Sequence, residues 1–373
     1  VSKTFAGILP ARRVIVLLGA GGVGKTTTSI AVALAAAHRG RRVALLSIDP
    51  AKRLAAALGL TLGNQLKRIQ LPAGLGSGGG SVDAAMLDHK AVFDDMVRKH
   101  APSEQTAERI LANSIYQAAS TNLIGPLEYM ALAKLQELSE DHRYDLVVLD
   151  TPPDTHALDF LARPNVLAGF FENKVMGWLI KPFVIAGRFG LGRLMTVGEK
   201  LMGGVAKVTG FSALHKFADF LILVQEVIEG FNRSGERVVQ LLHQETTGFF
   251  LVTTPTSTSA RSATNIAGEL AKLGYGLDLV AVNRCLPEPV AAAVAHVATG
   301  DTLVPRDDLE ALARRHAAEV AVETKLEALM QAAGAQRGAG VPRILIPELA
   351  VDDAPDGGIQ AVAEIAQRLL SGT

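Results

Sequence analysis

Eight residues, Gly19-Ala20-Gly21-Gly22-Val23-Gly24-Lys25-Thr26, constrain this chain more than any other feature of it. They fill the pattern G-x-x-x-x-G-K-[ST] in full. The run before them, Val14 to Leu18, reads as a buried strand, and Thr26 to His38 reads as an alanine-rich helix stopped at Gly40. A strand that turns through glycines into a helix aims successive backbone N–H groups, and the positive end of the helix, at one point where phosphate oxygens are held. In that arrangement Lys25 reaches the outer phosphates and the Thr26 hydroxyl binds Mg²⁺. Gly19, Gly21, Gly22, Val23, Gly24 and Thr27 complete the expected nucleotide contacts.

The same alternation of short apolar runs and longer helical stretches continues along the chain. Val43 to Ile48, Leu146 to Leu149, Phe249 to Thr253, Leu279 to Val282 and Ile344 to Ile346 all read as strands. Near-continuous apolar strands between helices predict an α/β fold with a mostly parallel sheet covered on both faces, and ligands beyond the carboxyl ends of its strands. Gly74 to Ser81 and Ala332 to Val341 read as loops, and there is no internal repeat. The expected organisation is one domain of 373 residues. Its P-loop NTPase core would occupy 13–164 and 245–373, with an inserted helical subdomain over about 80–140 and 165–244.

Composition narrows the class. Hydrophobic residues make up 49% and charged residues 20%, which suits a globular chain. Basic and acidic residues balance at 37 each, so no nucleic-acid partner is expected. Cys285 is the single cysteine, which rules out an internal disulfide and a cysteine-built zinc site within one chain. Val1 to Pro10 has no long apolar core with a small-residue cleavage site, so no secretory leader is expected. The longest uncharged run, between Arg109 and Glu128, is too polar to span a bilayer. A cytoplasmic location is expected, with peripheral contact at a membrane left open.

Three further motifs fall at predicted strand ends. In Ser47-Ile48-Asp49-Pro50-Ala51-Lys52-Arg53, the Asp49 carboxylate can orient a water for attack on a γ-phosphate or bind Mg²⁺ through water. Asp150 ends a buried hydrophobic strand, the position of the second Mg²⁺-linked carboxylate in phosphate-loop enzymes. Pro152-Pro153 behind it is stiff enough to act as a switch, and His156 reads as a switch-loop or packing residue. Asn283, in Val282-Asn283-Arg284, offers donor and acceptor to an adenine edge.

Taken together, these motifs resemble the ArsA-type ATPases, which include arsenite-efflux and tail-anchored-protein-targeting ATPases. The most specific stretch is Asp150 to Asn165, DTPPDTHALDFLARPN, which is similar to the family's switch II run. Asp49-Pro50-Ala51 matches its switch I, whose aspartate acts on the attacking water, and Gly125-Pro126-Leu127-Glu128 sits where the family has Pro-Gly-x-x-Glu. Phe249 to Asn283 resembles the segment ending in the adenine-contacting asparagine. The resemblance implies ATP and Mg²⁺ as cofactors, hydrolysis to ADP and phosphate with Asp49 and Lys25 catalytic, and a dimer as the working unit.

This chain departs from the family at definable places. Ala20 stands where the family usually has a second lysine that crosses the dimer, so a heterodimer with a related, lysine-bearing chain is open beside a homodimer. Thr256 stands where the targeting factor has an acidic residue, and no C-x-x-C is present to hold its zinc. Residues 165–231 are apolar, glycine-punctuated and basic; Phe170, Phe171, Met176, Trp178, Leu179 and Met202 are among their large side chains. Three readings of the stretch stay open: helical core, a groove for a hydrophobic client or membrane-protein partner, and contact with an anionic membrane surface. Three functions accordingly compete: a nucleotide-switched binding ATPase, an ATPase subunit energising anion or metalloid efflux, and a partition ATPase.

Overall fold

Short apolar strands assemble into one sheet because their side chains are apolar on both faces and need cover on both. The computed structural model describes residues 4–49, 53–122, 126–152, 211–296, 306–334, 340–349 and 357–371. Among these, the strands are β1 (Val14–Leu18), β2 (Arg42–Ser47), β3 (Lys67–Ile69), β4 (Ser81–Met86), β5 (Leu146–Asp150), β6 (Thr247–Thr253), β7 (Leu277–Cys285) and β8 (Arg343–Pro347). Their order in the sheet is β3-β4-β2-β5-β1-β6-β7-β8. Every neighbouring pair runs parallel except β3 with β4. The α/β class with a mostly parallel sheet, expected from the sequence, is the fold observed.

β1 lies between β5 and β6, and its five residues are fully buried. Ile15 and Leu17 join a core cluster with Ile30 and Leu34 of α2 (Lys25–His38) and with Val362, Ile365, Ala366 and Leu369 of α12 (Gly357–Ser371). Val14, Val16 and Leu18 alternate with them and turn to the opposite face, so both faces are covered. Helix α2 is buried from Thr28 through Ala37. Its run of alanines has no bulk to hold it off the sheet. The glycine-rich loop closes on its end: a Cβ on Gly78 would strike the His38 carbonyl, and one on Gly80 the Ala37 carbonyl.

One sequence expectation is corrected here. The helical stretch predicted from about residue 80 opens with a strand, because Ser81–Met86 pairs in parallel register with Arg42–Ser47. Val82, Ala84 and Ala85 are buried in the sheet, and Asp83 is bound by Arg68 of β3 and by the Tyr144 hydroxyl at 3.0 Å. Tertiary pairing overrides the weak strand preference of Asp83-Ala84-Ala85.

Two compact units divide the chain. The first, Val1–Leu87, Lys134–Ala162 and Val239–Thr373, holds the sheet. The second, Asp88–Ala133 and Arg163–Val238, is helical where described. In it, α4 (His89–His100) is capped by the Asp88 carboxylate on the Ala91 N–H at 2.9 Å, and α5 (Glu104–Leu111) by Ser103 on Thr106 N–H at 3.1 Å. Val97, Ala107, Ile110 and Tyr116 form a small core with Val224 and Val227 of the long helix α8 (Phe211–His243). The large apolar residues named between 165 and 210 lie outside the described residues.

At the amino ends of the strands, a polar clamp locks the sheet. Arg12 pairs with Asp278 at 2.7 Å and donates to the Glu245 carbonyl at 2.7 Å. Asp278 also accepts from the Phe249 N–H at 3.2 Å, and its side chain is 5% exposed. Removing one partner leaves the other charge buried without its counter-ion. We expect Asp278→Ala to lower the free energy of unfolding by about 3 kcal/mol in urea titration. Ligand affinity measured on the folded variant should stay unchanged, since the clamp sits at the opposite end of the strands.

Candidate active site

The carboxyl ends of β1, β2, β5 and β7 deliver four groups of side chains to one place. From β1 the chain enters the glycine loop, where Gly19, Gly22 and Gly24 have φ of 156°, 76° and 94°. Glycine is required at two of these for space as well as for conformation. A Cβ on Gly19 would strike the Val252 carbonyl, and one on Gly24 the Asn283 amide. Gly24 is the left-handed N-cap of α2, whose first residue is Lys25. The Lys25 side chain is 6% exposed and folds over the loop, donating to the carbonyls of Gly19 and Ala20, each at 2.8 Å.

β5 brings Asp150, which is fully buried. Its Oδ2 accepts from the Thr26 hydroxyl and from the Ser47 hydroxyl, both at 2.9 Å. Its Oδ1 is buried and, among the described residues, has no hydrogen-bond partner. Desolvation pushes the carboxyl up to about 6, against the hydrogen bonds from Thr26 and Ser47 and the Lys25 charge, with Asp49 adding to the rise. The next residue fixes the strand end: the Thr151 hydroxyl donates to the Leu17 carbonyl at 2.6 Å.

β2 brings Ser47, which lies opposite Asp150 in the strand register. Ser47 joins the Asp150 carboxylate to the backbone of Asp49, since its Oγ also accepts from the Asp49 N–H at 3.2 Å. Asp49 is 5% exposed and its Oδ2 is paired with the Arg53 guanidinium at 3.0 Å. Arg53 opens α3 (Arg53–Leu58) and its side chain is 57% exposed. β7 brings Asn283, whose amide donates to the Val23 carbonyl at 2.9 Å and accepts from the Arg284 N–H at 3.0 Å.

A cleft of about 270 Å³ opens over this arrangement. Of the residues expected to hold a nucleotide, Gly22, Gly24, Lys25, Thr26 and Thr27 line it, and so does Asp49, expected to be catalytic. Gly19 and Val23 are buried in the loop, Gly21 points to solvent, and Asp150 sits behind Thr26. Pro153 and His156, the expected switch residues, lie outside the described residues. Arg53, Thr151 and Arg284 also line the cleft, and sequence reasoning gave none of them a role. The register of Ser47 with Asp150 was likewise unread. The available signal for Arg53 was its spacing, one helical turn after Asp49.

The donor set suits a hard divalent cation. A hydroxyl and a carboxylate already share one hydrogen bond, and the second carboxylate oxygen is buried without a partner. Oxygen ligands and retained waters are what Mg²⁺ takes. Among the described residues no His, Cys, Asp and Glu cluster offers an all-protein metal cage.

Comparison with known proteins places this site in context. The family model described as anion-transporting ATPase matches residues 12–299. ATPase GET3 of Rhodotorula glutinis is 30% identical over 240 residues, 61% of this chain and 64% of that protein. ATPase GET3 of Kluyveromyces lactis is 31% identical over 166 residues, 41% of this chain and 46% of the relative. The arsenical pump-driving ATPase of Acidiphilium multivorum is 28% identical over 159 residues, 43% of this chain and 27% of its own length. The chain thus spans less than two thirds of the length of each of these curated relatives.

Burying Asp150 has a measurable pH signature. Its carboxyl sits at about 6 when folded against 3.8 ordinarily, so the folded chain holds this proton more tightly. Stability from the group is therefore present at low pH, falls as pH rises between about 4 and 6, and is lost above that. The loss amounts to about 3 kcal/mol. Asp150→Asn removes the ionisation. In EDTA and without nucleotide, the stability of the variant relative to wild type should rise from pH 4 to pH 6 and then level off. A difference independent of pH contradicts the assignment.

Proposed function

The chain belongs to the anion-transporting ATPase family, and on that footing we propose that it binds Mg²⁺·ATP in the cleft and hydrolyses it to ADP and phosphate. The observation that supports this most is the buried Asp150 carboxylate, bonded to Thr26 on one oxygen and without a partner on the other, beside the Lys25 ammonium whose charge it feels. A buried carboxylate kept with one oxygen unsatisfied is unfavourable in the empty protein and favourable once a cation is bound. Thr26 would ligate Mg²⁺ directly and Asp150 through water; the bound ion supplies charge neutralisation on the β- and γ-phosphates.

Lys25 would leave the loop carbonyls for the outer phosphates, and backbone N–H groups of the loop would take the rest. Asp49 would orient the attacking water. Attack forms the new P–O bond at the γ-phosphorus as the bond to the ADP oxygen breaks, and the water's protons pass to Asp49 and the phosphate product. Asp49 is not ready for this while Arg53 holds its Oδ2. Arrival of a terminal phosphate would give the exposed guanidinium a second partner and draw its charge away from the carboxylate.

The finer reading is a dimer that couples nucleotide state to a hydrophobic client. It draws on the apolar, basic character of residues 165–231, with the clients and assemblies of the relatives remaining those of the relatives. Among the described residues no helix is long and apolar enough to cross a membrane. Hydrogen exchange over 165–231, compared between the ATP-trapped and ADP states, tests the coupling. Identical, strong protection in both states removes it.

Three measurements test the enzymatic reading. Lys25→Ala should abolish hydrolysis, a loss of at least about 2–3 kcal/mol in transition-state stabilisation. Unchanged turnover in that variant contradicts the site. Asp49→Asn should keep nucleotide affinity and lose kcat; normal turnover would mean that Asp49 has another role. Light scattering at micromolar concentration, with and without a non-hydrolysable ATP analogue, should show a dimer. A monomer under both conditions leaves the heterodimer with a lysine-bearing chain, given Ala20.

A further inference from the structure

Resting on the nucleotide reading above, we infer that Arg284 binds the nucleoside end of the ligand, its guanidinium packed on the face of the base. The sheet order decides which end of a nucleotide Arg284 meets. β2 and β7 each lie two strands from β1, on opposite sides of it. With neighbouring strands about 4.8 Å apart, their ends stand about 10 Å to either side of the glycine loop. Asp49 and Arg53, which follow β2, line the cleft on one side, and Arg284, near the end of β7, lines it on the other. Lys25 and Thr26 lie between them. A triphosphate gripped at the loop, with its terminal phosphorus toward Asp49, must run its ester end and the nucleoside toward β7. Asn283 suits that end too. After its contacts to Val23 and Arg284, its amide keeps one N–H and one lone pair for a base edge. The face of the same base is left for a neighbour.

Arg284 is built to be that neighbour. Pairing of β7 with β8 runs from Asn283 opposite Ile346 directly to Cys285 opposite Pro347, which leaves Arg284 as an extra residue. A bulge of this kind re-aims a side chain at a strand end. Arg284 has φ of 61°, a left-handed conformation that a residue of its size adopts only when its surroundings impose it. They do so through the backbone. The Arg284 N–H donates to Asn283 Oδ1 at 3.0 Å, and its carbonyl accepts from Arg315 at 3.2 Å. Arg315 belongs to α11 (Arg306–Gly334) and pairs with Glu319 at 3.1 Å, and the Glu319 carboxylate also accepts from the Leu286 N–H at 3.0 Å. Both flanks of the bulge are thereby fixed. The Arg284 side chain takes no part in these bonds, and the residue is exposed at the cleft. Strained backbone held at the rim of a ligand cleft points to the side chain it presents. A guanidinium is planar and weakly hydrated, so it can lie flat on a base, whereas an ammonium cannot. Every base has such a face, so the contact adds affinity without choosing among bases.

Calorimetry on wild type, Arg284→Gly and Arg284→Lys tests this with Mg²⁺·ATP, Mg²⁺·GTP and Mg²⁺·tripolyphosphate, which has phosphates but no base. Glycine takes a φ of 61° without strain, so the bulge survives that change. We expect Arg284→Gly to weaken ATP and GTP alike, by about tenfold, the size of one cation-on-ring contact, and to leave tripolyphosphate unaffected. Lysine keeps the charge and lacks the plane, so Arg284→Lys should recover little of the loss. An equal fall for tripolyphosphate, or recovery in the lysine variant, overturns the inference in favour of a charge that serves the phosphates. A loss confined to one of the two nucleotides overturns it in favour of edge reading. Unchanged ATP affinity in Arg284→Gly overturns it as well and leaves Arg284 as part of the bulge alone. A wild-type chain that binds none of the three overturns the nucleotide reading, and this inference with it.

Discussion

Two hydroxyls on one buried oxygen hold the site together. Thr26 begins the first turn of α2, Ser47 ends β2 and Asp150 ends β5, and all three meet at Asp150 Oδ2. The carboxylate ends a central strand of the sheet, where β5 is flanked by β2 and β1, and it is fully buried. Its neighbours partly offset the cost of removing a charge from water, and the oxygen they leave unbonded marks where a cation is wanted. The rest of the fold can be understood from this arrangement. A parallel sheet is needed to bring three strand ends to one edge, and an alanine-lined helix is needed to start close enough for Thr26 to reach.

The two ends of the strands are specialised differently. At the amino ends, Arg12, Asp278 and the Phe249 N–H are mutually satisfied, which favours rigidity. Arg41 adds to the clamp by donating to the carbonyls of Leu9 and Arg12 at 2.6 and 2.7 Å, and burial lowers its basicity. At the carboxyl ends, groups are left short of partners or held by partners that can be exchanged: Lys25 rests on loop carbonyls and Asp49 on an exposed arginine. Full satisfaction at one end makes incomplete satisfaction at the other tolerable, since marginal stability leaves only a few kcal/mol for function.

Much of this was legible from local pattern. The glycine loop, β1 and α2 are contiguous in sequence and obey strand and helix periodicity, so they and Lys25, Thr26 and Asp150 were readable together. What escaped reading depends on register or on side-chain partners far along the chain. Ser47 acts because it lies opposite Asp150, and nothing in either segment announces that pairing. β4 was hidden because Asp83-Ala84-Ala85 has poor strand character and owes its conformation to β2. Nothing in the sequence around Arg284 marks its conformation. Its left-handed backbone is imposed by β8 and α11, which lie about sixty residues and about thirty residues further on.

Arg53 and Ala20 bear on one another. A phosphate site of this type needs positive charge to match the terminal phosphate, and the glycine loop carries one lysine, Lys25, with alanine at position 20. The described cleft has two arginines at its rim, Arg53 and Arg284, in addition to Lys25. They differ in what holds them. Arg284 is fixed through its backbone, at the bulge, so its position follows the sheet. Arg53 is held by its side chain alone to Asp49, the carboxylate that hydrolysis would need. A guanidinium shared between a carboxylate and an incoming phosphate divides its charge and its donors between them. Binding of the phosphate would then weaken the hold of Arg53 on Asp49. On that logic, Arg53 would supply within the chain some of the positive charge that a terminal phosphate needs, and would make the state of Asp49 depend on that phosphate.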